Sequence, residues 1–266
     1  MNLAASAYYN HRQAYLNIWW QGAFLLSVMA AINAILSVID PRLLGDEAVW
    51  LKPLKFEISV ILHFITLAVL ASLLSAERRN TKTWQCISYA AVAAGIFEVL
   101  YIFLQAARGR ESHFNISTPM EGTMYALMGL GALTLVFASF YLGCVLYKEY
   151  RVERSSPLLL SSALGLTIGS VLTLIIAGYL SSKTGTEIVL GTEQSPRAPL
   201  FGWYLGGKDL RIPHFLATHM MQIMPLIGLW LSRNHAVVQN VRTKLYSFFA
   251  ASSATIIMIF VISFYA

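Results

Sequence analysis

The chain predicts an all-α fold, a polytopic membrane helical bundle of about seven transmembrane helices, and three observations carry that prediction. Of 266 residues, 57% are hydrophobic and 12% charged, with a mean hydropathy of +0.61, too apolar for a soluble domain of this length. Apolar runs long enough to cross a ~30 Å hydrocarbon core at about 1.5 Å per residue recur seven times. The runs are continuous rather than alternating over ~10 residues, which favours helices over barrel strands.

The runs lie near 16–39, 55–75, 84–105, 119–147, 157–182, 212–232 and 245–265. The first lacks a strong basic n-region and an A-x-A site and is longer than a signal h-region, so it reads as a retained anchor. The second and third carry polar stripes, taken up below. The fourth starts at Thr118-Pro119-Met120-Glu121, with a Thr N-cap, a Pro at the first helical position and a capping Glu three residues after the cap. The fifth repeats Ser161, Gly165, Gly169 and Thr173 every four residues, a face for close helix packing. The sixth contains Pro225, expected to kink or loosen the helix near Met221 and Gln222. No repeat, low-complexity tract or linker divides the chain, so residues 1–266 are expected to form one transmembrane domain. The loop 183–211 is long, with Pro196, Pro199 and Gly202-Trp203-Tyr204-Leu205-Gly206-Gly207, and reads either as a lid or as an interfacial anchor. Cys86 and Cys144 fall near one membrane face and are expected to be small buried apolar residues, not a disulfide framework.

Seven spans put the N-terminus and loops 76–83, 148–156 and 233–244 on a first face and the other loops and the C-terminus on a second. Ten of the 19 Lys and Arg lie on the first face. In short loops the bias makes that face cytoplasmic, so the N-terminus is expected inside and the C-terminus outside. Trp19, Trp20, Trp84 and Trp230 would form its aromatic belt. The net charge of +6 thus reads as orientation. No basic, aromatic-interleaved patch supports a nucleic-acid partner.

Three stripes at helical spacing break the apolar pattern: Lys52-Lys55-Ser59-His63-Thr66, Glu98-Tyr101-Gln105-Arg108 and Arg211-His214-Thr218-Gln222. Each lines one helix face, and ionisable groups in a bilayer are costly enough to be functional or paired. At helical rise His63 lies roughly 12–15 Å below the second face, and Glu98 and Gln222 lie about as deep. Matched depth suggests one cavity, open to the second face and closed by the apolar stretches Leu67 to Leu74, Trp84 to Phe97 and Ile223 to Leu231. Its rim, counting Lys52, Lys55, Arg108, Arg110, Arg211, His113 and His214 against Glu57, Glu111 and Asp209, is cationic and suits a phosphate or carboxylate.

Within that cavity, His63 and Glu98 are the candidate acid–base pair, against the alternative of a structural buried pair. Lys55, Gln105, Arg108, His113, Asn115, Arg211, His214 and Gln222 are the candidate substrate-binding residues. His63, His113, His214 and His219 are a metal alternative, weakened because His214 and His219, five apart, lie roughly 140° around a helix. A haem between His63 and His219 has no attachment motif, and the sequence names no cofactor.

The strings Lys52-Pro-Leu-Lys55-Phe56, Gln105-Ala-Ala-Arg108-Gly-Arg110-Glu-Ser-His113-Phe-Asn115 and Asp209-Leu-Arg211-Ile-Pro213-His214-Phe resemble those of an uncharacterised group of bacterial multi-pass membrane proteins. The resemblance spans about residues 50–230. It implies the fold and a bacterial inner-membrane location, and no activity. The leading expectation is a membrane-embedded enzyme acting on an amphipathic anionic or quinone-like substrate such as a lipid. A transporter or small-ligand receptor, and a haem- or metal-bearing or assembly subunit, stand beside it.

Overall fold

The computed structural model describes residues 3–45, 47–183, 189–190, 196–198, 202–204, 208–234 and 240–265. In order, the elements are α1 (Leu3–Ile39), β1 (Leu43–Leu44), β2 (Glu47–Ala48), α2 (Leu51–Ala71), α3 (Ala76–Arg79), α4 (Lys82–Ala107), α5 (Pro119–Val152), α6 (Pro157–Ser181), β3 (Val189–Leu190), β4 (Lys208–Asp209), α7 (Arg211–Arg233) and α8 (Val241–Tyr265). Seven of the helices are long and apolar enough to cross a membrane, so the chain is an all-α, multi-pass integral membrane protein in contact with the lipid bilayer. The only strands among the described residues are two short antiparallel pairs, β1 with β2 and β3 with β4.

Helix ends follow local chemistry. Thr118 Oγ1 accepts from the Glu121 amide at 3.2 Å, so α5 begins where the cap signature places it. Ser156 does the same for α6 through the Leu159 amide, with Pro157 at the first helical position. The second span differs from its apolar run: α2 starts at Leu51, four residues earlier, so Lys52 and Lys55 sit in its opening turns. Pro53 there forfeits only an amide that the first turn leaves unbonded. The sixth span, α7, continues as one helix through Pro225.

The chain packs as two compact units, residues 1–138 and 139–266. In the first, α1, α2 and α4 surround an aromatic centre. Trp19 stacks on Trp84 at 6.1 Å and meets Phe64 edge-on at 5.5 Å, and all three are buried. Phe64 fits because it lies between two glycines: a Cβ on Gly22 or Gly95 would come within 2.9 Å or 2.8 Å of its ring. Trp19 and Trp84 are therefore core rather than belt residues, whereas Trp20 and Trp230 do face outward. Two rings can bury more apolar area against each other than either gains at the interface.

In the second unit α6 packs along α7. The Ser161-Gly165-Gly169-Thr173 face meets Ala217, Met220, Met221, Met224 and Gly228, and Thr173 and Thr218 hydroxyls meet at 3.4 Å. Small residues let the backbones approach, as the four-residue repeat predicts. Both cysteines are free; Cys86 is exposed and Cys144 half-buried. Cys86 thus departs from the expected burial, because the inner face of α4 near it is taken by Trp84 and Ser88.

Candidate functional site

The second-face end of the first unit is built by the segment after α4. Arg108 is the C-cap of α4, and Gly109 takes φ +63°, a left-handed conformation natural to glycine. The chain then folds back over its own helix. The Arg110 amide donates to the Gln105 carbonyl at 2.9 Å, and the fully buried Gln105 side chain donates to the Glu111 carbonyl at 2.9 Å. Asn115 Nδ2 reaches the same carbonyl at 2.9 Å, while its Oδ1 accepts from Ser117. Gln105 and Asn115 thus shape the loop.

The far end is clamped to α5. Glu121, buried at the helix start, accepts from Arg110 at 3.0 Å, from Ser117 and from Thr118, with Arg108 at 4.0 Å. Arg108 also donates to Gln105 Oε1 at 2.7 Å. The cap at Thr118 is as the sequence suggests, but the Glu121 carboxylate meets the Ser117 and Thr118 hydroxyls rather than a backbone amide, and its role as anchor for two arginines is additional.

This fold-back carries His113 inward. Its ring packs on Phe56 of α2 at 5.1 Å and near Tyr125 of α5 at 6.2 Å. Burial pushes its imidazole down to about 3, and the Lys52 ammonium adds to the shift, so the ring is neutral at physiological pH. Nδ1 lies 3.1 Å from Ser112 Oγ. Nε2 lies 3.9 Å from Oε1 of Glu98, beyond hydrogen-bond reach. Glu98 is buried on α4, and one turn further along the same face the Tyr101 hydroxyl is buried with no partner. His63, also buried, sits on α2.

The rim is less cationic than a count of charges suggests. Lys52 pairs with Glu111 at 3.1 Å, Lys55 with Glu47 at 3.1 Å and Arg110 with Glu121. Arg42 grips Asp40 at 2.7 Å. That hydrogen bond, with one from the Trp50 indole, holds the Asp40 carboxyl well below the usual carboxylate range, and the Arg42 guanidinium is raised in turn. Asp40, Glu47 and Glu121 escape a count of the stripes because they lie outside them.

The third stripe belongs to the second unit. Arg211 is bound through two nitrogens to Asp209 at 2.8 and 2.6 Å and donates to the Gly202 carbonyl at 3.2 Å. The Tyr204 amide donates to Asp209 as well. Trp203 packs on Phe215 at 4.9 Å and Phe215 on His219 at 4.0 Å. The described part of the long loop therefore rests on the start of α7; its Pro199 and Leu205–Gly207 lie outside the described residues. His214 Nδ1 is buried without a partner, and Gln222 hydrogen-bonds His219. Among the described residues no three His, Cys, Asp or Glu gather as a metal site, so the four histidines do not form one there.

A groove of about 380 Å³ lies between α4 and α5 within the first unit, lined by Ala93, Ala94, Phe97, Leu127, Leu130, Gly131 and Thr134. Thr134 spends its hydroxyl on the Leu130 carbonyl, so the side chains of the lining offer a guest mainly hydrocarbon contact. None of this was visible in the stripes, since Ala93, Ala94 and Gly131 are ordinary members of an apolar run. No family model, curated protein or solved structure matches this chain.

Proposed function

We propose that the first unit holds the reaction centre of a membrane-embedded enzyme acting on an amphipathic substrate of lipid or quinone type. One observation carries the reading: a buried carboxyl, Glu98, and a neutral imidazole, His113, stand 3.9 Å apart without a hydrogen bond between them. Groups that hold a fold together are normally locked to each other. Glu98 and His113 are not locked in this way, which supports a role in taking or giving a proton to a third molecule.

With Nδ1–H donating to Ser112, His113 Nε2 has a lone pair for a substrate proton, and Glu98 orients or relays it. His63, buried on α2, is a second candidate proton carrier. Arg108, whose side chain is 53% exposed, is the rim cation best able to meet an anionic head, with Lys55 next to it in charge. Gln105 and Asn115 present His113. The α4–α5 groove takes the hydrocarbon part. Arg211, His214 and Gln222 form a separate cluster of the second unit and carry no step in this reading. An orientation with the N-terminus inside fits the loop charges.

The test is turnover of a total lipid and quinone extract by the protein in nanodiscs, followed by mass spectrometry. Glu98→Gln and His113→Asn should each lower product formation by about 10²-fold or more, and His63→Ala less. Full turnover in Glu98→Gln and His113→Asn, with folding intact, removes this mechanism.

A further inference from the structure

The joint between α1 and α2 holds a buried carboxyl that the proposed reaction does not use. Asn33 of α1 and Glu57 of α2 are both fully buried. Asn33 lies six positions before the end of α1 at Ile39, and Glu57 six after the start of α2 at Leu51, so both are about 9 Å along their helices from the second face. Asn33 Nδ2 donates to Glu57 Oε2 at 3.0 Å. The other oxygen of each group, Glu57 Oε1 and Asn33 Oδ1, is buried with no hydrogen-bond partner.

Donor accounting makes this arrangement informative. An ionised carboxylate only accepts, and the oxygen of a carboxamide only accepts. With Glu57 ionised, a negative charge receives one hydrogen bond and two further buried acceptor oxygens receive none, which is among the least favourable arrangements a membrane interior offers. A single proton on Oε1 repairs both defects. It turns Oε1 into a donor for Asn33 Oδ1, and with the existing Nδ2–H to Oε2 bond it closes a cyclic acid–amide pair. No cation does this instead. On the elements around the joint, Lys55 pairs with Glu47, Lys52 with Glu111 and Arg42 with Asp40, while Glu98 faces His113. Among the described residues Glu57 has Asn33 alone.

We propose that Glu57 binds a proton and is held as the carboxylic acid, closing a cyclic pair with Asn33, so that the α1–α2 joint is a proton-binding site inside the bilayer. Loss of that proton at alkaline pH sets two acceptors and a charge in the joint and loosens α1 from α2. The inference is independent of the proposed reaction.

The full chain in nanodiscs tests it. Infrared spectra should contain a protonated-carboxyl C=O stretch that disappears in Glu57→Gln and is displaced in Asn33→Leu. Thermal unfolding adds a second readout. The carboxamide introduced by Glu57→Gln can make both bonds to Asn33, so this variant should melt like the wild type at neutral pH and stay level at alkaline pH, where the wild type falls. Should that variant not fold, the displacement in Asn33→Leu assigns the band by itself. The proposal is overturned by a wild type without such a band, or by a band that both variants leave unchanged. A Glu57→Gln protein melting well below the wild type at neutral pH also overturns it. In that case stabilisation of the wild type by sodium chloride but not choline chloride would identify a bound cation as the occupant.

Discussion

At the scale of single residues, His113 is the most telling side chain, because its neutral state is imposed by position. Its folded value near 3 lies below the ordinary 6.5, so the unfolded chain takes up the proton first. Stability should therefore fall as pH drops from about 6.5 towards about 3 and level off below that. Asp40 acts in the same direction only below its ordinary 3.8, since its carboxyl is held low by Arg42. Thermal melts across this range should show the higher-pH part of the slope made shallower in His113→Gln; an unchanged slope would mean that the ring is not buried neutral. Glu121 is the residue whose role was half legible. The Thr-Pro-x-Glu pattern marks it as a capping residue, but nothing in the spacing indicates that Arg110, eleven positions earlier, folds back onto it.

At the scale of elements, the segment 108–118 and the glycine-lined helix faces decide the architecture. Glu121→Ala removes the carboxylate that accepts from Arg110, Ser117 and Thr118 and should destabilise the protein by about 1–3 kcal/mol. The same change should speed proteolysis near Arg110, because the loop loses its anchor on α5. In the aromatic centre, Gly95→Ala places a methyl 2.8 Å from the Phe64 ring, and overpacking of that kind should cost about 1–3 kcal/mol. A Phe64→Leu change on the Gly95→Ala background should restore part of the loss in a double-mutant cycle. On the α6–α7 seam, Gly228→Ala would overlap Ser161 Oγ and should lower the melting temperature, with Ser161→Gly as its rescuing partner. The α6 face was legible because its small residues recur every four positions. The Gly22–Phe64–Gly95 sandwich was not, because its three members lie on three helices and no local period connects them.

At the scale of the molecule, the apolar halves of the helices distinguish an enzyme open to one side from a transporter. Leu67, Leu70 and Ala71 on α2 are buried below His63. Single cysteines at these positions, in a chain lacking Cys86 and Cys144, should resist a membrane-impermeant thiol reagent applied from either side. Labelling from the inside would favour alternating access over the enzyme reading. The same reagent at positions 80 and 116 reports orientation, with position 116 expected to react from outside.

The sequence by itself determined the membrane class, the seven spans, the cap at Thr118 and the small-residue face of α6, because each is set by composition or by a period along one helix. It also marked Glu98, with His63, as a polar group too costly to be idle, and His113 as a binding residue of the rim. The tertiary structure decided which groups meet: Glu98 with His113, Arg110 with Glu121, Arg211 with Asp209, Asn33 with Glu57. Pairing between segments depends on how a loop folds back and on which helix faces pack. Those are decided by shape and hydrogen-bond satisfaction across the fold, which no spacing along one strip of sequence encodes.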